Sequence, residues 1–128
     1  MTNFVKPTES ELEILQVLWQ HGPSSVRFVN DLLSERREVG YTTTLKLMQI
    51  MHEKKLVDRD TDARSHIYRP IANEQLTQQN LLNGFVESAF RGSAAQLVMQ
   101  ALGNHSANEQ ELEQIKALIQ QLENDQQL

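Results

Sequence analysis

The sequence predicts a mainly α-helical fold with one small β-hairpin. Apolar residues recur at three- and four-residue steps along most of the chain, as they do on one face of a helix. Segments 56–59 and 65–69 instead read as two short strands, joined by the polar residues 60–64. Three helices followed by a hairpin are the order of a winged helix-turn-helix, so we expect this domain over residues 1–73 and a helical region over residues 74–128.

Helix 1 is expected to begin directly after Thr8, because Thr8 and Glu11 have the spacing of a capping box. Gly22 and Pro23 are expected to end it, since glycine accepts left-handed geometry and proline cannot continue a helix. The apolar stripe between these signals predicts a helix packed on a core. Trp19 is interpreted as an anchor in that core.

Helices 2 and 3 form the predicted helix-turn-helix. Helix 2 is expected to run from a cap at Ser24 or Ser25 to about Arg36, followed by a polar turn over residues 36–40. Threonines 42–44 can start helix 3, because a threonine hydroxyl accepts a hydrogen bond from a backbone N–H one turn on. The packing face of helix 3 is predicted to carry Leu45, Met48 and either Met51 or His52.

The opposite face of helix 3 is polar and is our candidate for contact with DNA. Lysine and glutamine pair with base edges or phosphates, and threonine offers a hydroxyl and a methyl group. The candidates on this face are Thr42, Thr43, Lys46, Gln49 and Ile50. Any surface helix has a solvated face, so the adjacent hairpin is what favours the DNA interpretation.

The hairpin supplies further candidate contacts. Arg64 at its tip and Arg59 on its stem are suited to the phosphate backbone. Three nearby carboxylates oppose such contacts, which argues for moderate affinity; they are Asp58, Asp60 and Asp62.

Residues 74–124 are predicted to form three amphipathic helices. They cover residues 73–90, residues 94–102 with Gly103 as terminator, and a last stretch after Asn108, which forms a second capping box with Glu111. Because their apolar faces have no obvious partner within one chain, we predict a two-fold homodimer. The predicted dimer residues are Phe85, Leu97, Val98, Leu102, Leu112, Ile115, Leu118, Ile119 and Leu122.

Charge and composition narrow the function classes. The net charge is −5, but residues 1–73 carry ten basic and ten acidic residues, against two and seven in residues 74–128. The excess acid is therefore in the C-terminal part, and a DNA-binding N-terminal part stays possible. The sequence has no signal-peptide pattern and no membrane span of roughly 18 apolar residues, so we expect a cytoplasmic protein without a membrane partner.

No pattern of metal ligands or catalytic groups is evident. The chain has no cysteine, which excludes disulfides and thiolate metal sites. His21, His52, His66 and His105 fall in different elements without ligand spacing, so we expect no metal and no cofactor. We find no nucleophile constellation and no glycine-rich phosphate loop, and we expect a protein that is not an enzyme. Metal-dependent regulation through histidines and acids brought together at the dimer interface stays an alternative.

With these segments placed, the sequence resembles the BlaI/MecI/CopY family of bacterial repressors. The resemblance lies in TESELEILQVLWQHGP of helix 1, VRFVNDLL of helix 2, GYTTTLKLMQIMHEKKLV of helix 3 and ARSHIY of the hairpin, and more loosely in FRGSAAQLVMQAL. It implies a winged helix, a helical dimerisation region, and repression by a homodimer on a dyad-symmetric operator. By position, it implies that Tyr41, Thr42 and Thr43 start the recognition helix, that Lys46 and Gln49 face the groove, and that Arg64 is the basic residue of the wing.

The chain departs from the family pattern at four positions. Ile50 stands where relatives commonly carry a basic residue, which suggests an altered operator with a thymine methyl against Ile50. Lys55 stands where glycine is usual, at a cost of about 1 kcal/mol if left-handed geometry is kept. Ala63 and His66 replace a usual glycine and a usual aromatic residue in the wing.

The switch elements of the family also differ here. The copper branch is marked by a C-terminal cysteine motif, and its absence excludes thiolate copper sensing. The β-lactam branch is switched by a sensor protease that cuts the dimerisation region, at an Asn-Phe pair in its best-known members. Gln100 and Ala101 stand at that place, so a sensor protease is a candidate partner whose usual cleavage signal this chain lacks.

The leading interpretation is a dimeric, DNA-binding transcriptional repressor. The alternative is a winged-helix protein-interaction module without sequence-specific DNA binding, in which the acidic surface and the face that carries Ile50 dock a protein. Binding to duplex DNA that weakens steeply with salt distinguishes the two, because only the first releases counterions from phosphates.

Overall fold

The structure, a computed structural model, describes residues 4–60, 66–104 and 106–127. It confirms a mainly helical fold with a small antiparallel sheet. The elements are α1 (Glu9–His21), β1 (Ser24–Ser25), α2 (Val26–Ser34), α3 (Tyr41–Glu53), β2 (Val57–Asp60), β3 (Ile67–Pro70), α4 (Glu74–Phe90), α5 (Ala94–Asn104) and α6 (Glu109–Gln126). They fall into two compact units, Met1–Asn83 and Gly84–Leu128.

The capping box of α1 is confirmed. The backbone N–H of Glu11 donates to the Thr8 hydroxyl at 3.1 Å, and the Thr8 N–H donates to the Glu11 carboxylate at 2.9 Å. The helix ends before Gly22, as expected, but Gly22 combines φ +80° with an extended ψ of −168°, which lies outside the expected left-handed helical region and is open to glycine. Helix α1 therefore begins and ends where its local sequence signals lie.

The core of the first unit is built by the apolar faces of α1, α2 and α3 together with the sheet. It consists of Ile14, Leu15, Leu18, Val26, Val29, Leu33, Met48, Met51, Leu56, Val57 and Tyr68. Trp19 packs against this core, and its indole N–H donates to the carbonyl of Ala72 at 2.9 Å. The interpretation of Trp19 as an anchor is confirmed, and the anchor joins α1 to the segment after β3.

The sheet has one strand more than the predicted hairpin. Strands β2 and β3 pair with Arg59 opposite Tyr68, and the two-residue strand β1 pairs with the other edge of β3, Ser24 opposite Tyr68. Two serines show no alternation of apolar and polar residues, so the pattern could not reveal β1. Strand β2 begins at Val57 rather than Leu56, because the Leu56 N–H still donates to Met51 in the turn that ends α3.

That turn places a lysine in left-handed geometry. Lys55 has φ +66°. Its backbone N–H donates to the carbonyl of His52 at 3.1 Å, and the N–H of Leu56 donates to the carbonyl of Met51 at 2.9 Å. These two bonds form the pattern of a Schellman motif. The strained geometry expected at Lys55 is thus present, and the side chain raises the energy of the folded state.

We expect Lys55→Gly to raise the free energy of unfolding by about 1 kcal/mol, because glycine adopts positive φ without steric cost. Urea titration followed by circular dichroism measures this change. Lys55→Ala is the matched control, since it removes the same charge but keeps a Cβ atom at φ +66°. Equal stability of the two variants would contradict strain as the cause.

The second unit is formed by the end of α4 and by α5 and α6. Helix α4 continues through Gly84, and α5 continues through Gly103 to Asn104, so the expectation that Gly103 ends this helix is wrong. Gly103 keeps helical rather than left-handed geometry, and an interior glycine costs a helix only about 1 kcal/mol. The capping box of α6 is confirmed, with Glu111 N–H donating to Asn108 at 2.7 Å.

Helices α5 and α6 bury none of their described residues within the chain. Large apolar side chains are exposed from the later half of α4 through α5 and α6: Leu82, Phe85, Val98, Met99, Leu102, Leu112, Leu118, Ile119 and Leu122. Within the described ranges, no helix has the length and apolar character needed to cross a bilayer.

Candidate nucleic-acid interface

The N-terminus of α3 lacks a side-chain cap. Its N-cap is Gly40, and no side chain accepts from its first-turn N–H groups, so the expectation that a threonine hydroxyl caps this helix is wrong. The helix begins at Tyr41, which places Thr42 and Thr43 inside the first turn, where their side chains are exposed. With no acidic residue in that turn, the N–H groups and the positive end of the helix dipole are open to an external anion.

A buried amide fixes α3 against α2. The Asn30 side chain donates to the carbonyl of Val39 and to the hydroxyl of Thr44, both at 2.9 Å. Asn30 and Thr44 are both buried, so the bond between them joins α2 to α3 away from water, and the partly buried bond to Val39 adds the turn. Helix α2 ends at Ser34, earlier than the expected Arg36, and it starts from a Ser25 cap as predicted.

The two faces of α3 separate as the sequence predicts. Met48 and Met51 are fully buried, whereas His52 is half-buried, which decides between the two alternatives for the packing face. Thr42, Thr43, Lys46 and Gln49 are exposed together with Tyr41. Ile50 is half-buried, so it offers less apolar surface than an outward-facing isoleucine would.

A shallow groove lies between the start of α2, α3 and the residue before β3. It is lined by Ser25, Val26, Arg27, Tyr41, Leu45, Gln49 and His66. The Arg27 guanidinium lies over the Tyr41 ring, 5.1 Å from its centroid. Sequence reasoning did not single out Arg27 among the basic residues of the N-terminal part, because its proximity to Tyr41 depends on how α2 packs against α3.

On the hairpin stem, Asp58 is paired. Its carboxylate accepts from Arg69, the cross-strand partner, at 2.8 Å, and His52 Nε2 lies 3.9 Å away. Hydrogen bonds from the Arg59 backbone N–H and from the Arg69 guanidinium hold the pKa of Asp58 below its usual value. The negative charge of Asp58, which was expected to oppose phosphate binding, is therefore compensated by the neighbouring Arg69.

Arg59 is half-buried, and it projects from the same sheet face as Tyr68, its cross-strand partner. Its Nε atom is buried without a hydrogen-bond partner among the described residues. A phosphate contact by Arg59 stays a prediction. The predicted wing contact Arg64, and the carboxylate of Asp62, lie outside the described residues.

The far end of α3 is held by an ion pair between a buried carboxylate and a lysine whose side chain is 37% exposed. Lys54, the C-cap of α3, donates to both carboxylate oxygens of Glu11 at 3.1 and 2.9 Å. The Glu11 side chain is only 2% exposed. Burial raises the pKa of Glu11, but hydrogen bonds from Lys54 and Thr8 outweigh this effect and leave the pKa below its usual value. Helix α3 is thus fixed near both ends.

We expect Glu11→Gln to lower the free energy of unfolding at pH 7 by roughly 1–2 kcal/mol, because the charged bonds to Lys54 are lost. The pKa of Glu11 in the folded protein is below its value of 4.5 in the unfolded chain. The Glu11 carboxylate therefore stabilises the fold fully above pH 4.5, and this stabilisation is lost as the pH falls through the folded-state pKa. Urea titrations from pH 7 to about 3 should therefore show the two proteins converging in acid.

The control for this prediction is Glu13→Gln, in the same helix. Glu13 pairs with Arg37 on the surface, with side chains 26% and 49% exposed, so its loss should cost less than about 1 kcal/mol. A constant difference between wild type and Glu11→Gln across the whole pH range would contradict the proposed role of the carboxylate charge.

The described histidines are dispersed in space. His21 packs edge to face on Phe28 at 5.3 Å, His52 neighbours Asp58, and His66 lines the groove. Within the described part of the chain, no three histidine, aspartate or glutamate side chains are arranged to hold a metal ion. His105 lies outside the described residues.

Comparison with known proteins gives a family match and several similar proteins, among them two solved structures of BlaI. The model of the family described as "Penicillinase repressor" matches residues 7–121. The transcriptional regulator BlaI of Mycobacterium tuberculosis, in two strains, is 28% identical over 95 residues, which span 73% of this chain and 69% of that protein.

The solution structure of the DNA-binding domain of the repressor BlaI matches with a TM-score of 0.51 and 22% identity, over 58% of this chain and 90% of that chain. Monomeric BlaI of Bacillus licheniformis, solved in complex with the blaP half-operator, matches with a TM-score of 0.50 and 21% identity. This match covers 59% of this chain and 92% of that chain. At these identities the likeness establishes a shared winged-helix fold.

Proposed function

The chain belongs to the penicillinase repressor family, whose members are transcriptional repressors and not enzymes, and from this premise we propose that it binds a dyad-symmetric operator as a homodimer. In this proposal α3 enters the major groove and the hairpin lies on the phosphate backbone. Residues 1–73 read the DNA, and residues 74–128 hold two copies together. A repressor of bacterial genes acts in the cytoplasm.

The observation that carries the proposal is the outward face of α3. Thr42, Lys46 and Gln49 are exposed along one side of a helix whose opposite side is anchored in the core by Met48 and Met51. Long polar side chains on a rigid helix are suited to base edges in the major groove. Monomeric BlaI, solved in complex with a half-operator, has a similar fold, which supports duplex DNA as the ligand.

Phosphate contacts are proposed at the start of α3. Its first-turn N–H groups lack side-chain acceptors, and Thr42 and Thr43 add exposed hydroxyls there. Such a helix start favours an anion through its N–H groups and its dipole. On the hairpin, we propose backbone contacts for Arg59 and Arg64, as the sequence suggested.

The homodimer is proposed on the apolar surface of the second unit. Helices α5 and α6 have no fully buried residue and so gain little packing energy within one chain, although most of the stability of helices in proteins comes from packing. A second copy would bury the exposed residues of α4, α5 and α6. The half-buried Leu97 and Ile115 belong to the same proposed interface. Cleavage of this region by a sensor protease would separate the two DNA-reading units.

Selection of bound fragments from genomic DNA, followed by gel shifts over a range of salt, tests this function. We expect a palindromic site whose affinity falls steeply as salt increases, and weaker binding to a scrambled duplex. Salt-insensitive or absent duplex binding, together with a stable protein complex in a pull-down, would instead support a protein-interaction module.

A further inference from the structure

We propose that Arg27 is a phosphate-contacting residue of the DNA interface and that the Tyr41 ring is the positioning group that holds it there. The inference rests on the proposed DNA binding and adds to it a residue from α2. Neither the polar face of α3 nor the hairpin includes Arg27. A contact by Arg27 would add α2 to the DNA interface, beside α3 and the hairpin.

The position of Arg27 is set by the fold. It is the second residue of α2, and Ser25 fixes the start of this helix by accepting from the Phe28 N–H at 3.1 Å. The Arg27 side chain is exposed, and its guanidinium lies 5.1 Å from the centroid of the Tyr41 ring, which is itself 42% exposed. Stacking of this kind restrains a long side chain while the N–H groups at its edge stay free to donate.

The charges around Arg27 favour an anion. Arg37 and Arg69 are each paired with a carboxylate, whereas Arg27 has no carboxylate partner among the described residues. The described residues that line the groove include no aspartate or glutamate. Arg27 is thus a cation that folding has ordered without neutralising it.

The ligand chemistry follows from the neighbouring element. Gln49 lines the same groove as Arg27 and belongs to the face of α3 proposed for base contacts. When a recognition helix lies in the major groove, the helix before it crosses the phosphate backbone. A planar guanidinium at that place matches two oxygens of a phosphodiester. Its role is to fix the register of α3 on the duplex, independently of base sequence.

The first test uses the full chain and a short duplex of arbitrary sequence, so it does not depend on knowing the operator. We expect Arg27→Ala to weaken binding roughly three- to tenfold and to reduce the slope of log affinity against log salt by about 1. Arg36→Ala is the matched control. It removes the same charge from the surface between α1 and α2, just beyond the other end of α2, and it should leave the slope nearly unchanged.

A double-mutant cycle tests the role of Tyr41. Tyr41→Phe keeps the ring and should keep the contribution of Arg27 to duplex affinity. Tyr41→Leu removes the ring and should lose part of that contribution. If Tyr41 positions Arg27, the losses from Tyr41→Leu and Arg27→Ala are less than additive when combined. Strictly additive losses would overturn the positioning role.

The outcomes separate this inference from the proposed function. Salt-dependent binding by wild type, with Arg27→Ala indistinguishable from Arg36→Ala, overturns the phosphate contact and leaves DNA binding intact. Absence of duplex binding by wild type at low salt overturns both. Because both arginines are exposed, thermal melts of the two variants should match wild type, and a large drop for Arg27→Ala alone would assign it a structural role instead.

Discussion

Leu122→Glu is expected to break the homodimer and to weaken operator binding by about 10²- to 10⁴-fold. Leu122 is 53% exposed in the single chain, on the apolar stripe of α6. In the proposed two-fold interface, each copy would bury one such carboxylate without a partner. Two DNA-reading units that are no longer linked lose the high effective concentration that couples their half-sites.

Sedimentation velocity and operator binding measure the two parts of this expectation. The matched control is Ala117→Glu, which places the same charge on the opposite side of α6, where the side chain is also exposed. The control should stay dimeric with near wild-type affinity. A dimeric Leu122→Glu protein with unchanged operator binding would contradict the assignment of α6 to the interface.

The double variant Lys46→Ala/Gln49→Ala is expected to lose most of its preference for the operator over a scrambled duplex. Each well-placed contact to a base edge provides about 1–3 kcal/mol of discrimination, so the two together provide at least about 2 kcal/mol, and the expected loss is at least about 30-fold. Binding to the scrambled duplex should fall much less, because it depends on phosphates. Both side chains are exposed, and the fold should therefore be unaffected.

Competition gel shifts with operator and scrambled DNA give the specificity ratio. Lys116→Ala/Gln120→Ala on α6 serves as the control, because it removes the same two residue types from an exposed position outside the proposed DNA surface. This control should keep the full ratio. Equal ratios for the wild type and the Lys46/Gln49 variant would remove α3 from the specificity mechanism.

The prediction for Lys46 and Gln49 depends on a rigid recognition helix. Near its start, Asn30 bonds the buried hydroxyl of Thr44, and at its end Lys54 is bonded by the buried carboxylate of Glu11. These bonds orient α3 before DNA arrives, so less conformational entropy is lost on binding. We expect variants at these positions to weaken DNA binding through the orientation of α3 rather than through contact.

Features with local causes could be predicted from the sequence. The capping boxes at Thr8 and Asn108 depend on residues three apart, and the separation of polar and apolar faces on α3 depends on the helical period. The left-handed geometry at Lys55 followed from a family resemblance and a known turn type. Each of these signals is complete within a few residues.

Features that depend on packing between elements could not be predicted in the same way. Strand β1 exists because Ser24 and Ser25 lie beside β3, and the contact of Arg27 with Tyr41 requires α2 and α3 to be in place. The Asn30 network had a partial signal, a polar residue among the apolar positions of α2, but its partner Thr44 is distant in sequence. The predicted cap of α3 was wrong because the helix already begins at Tyr41, with Gly40 as its N-cap, before the threonines.

The most direct measurement is the stoichiometry and footprint of the wild-type protein on its selected operator. Two protomers per duplex are expected, with two symmetric protected half-sites whose centres lie about one helical turn, or a multiple of it, apart. Such a result would place two copies of α3 in successive major grooves. One protomer on a single half-site, or no protection at low salt, would contradict the account.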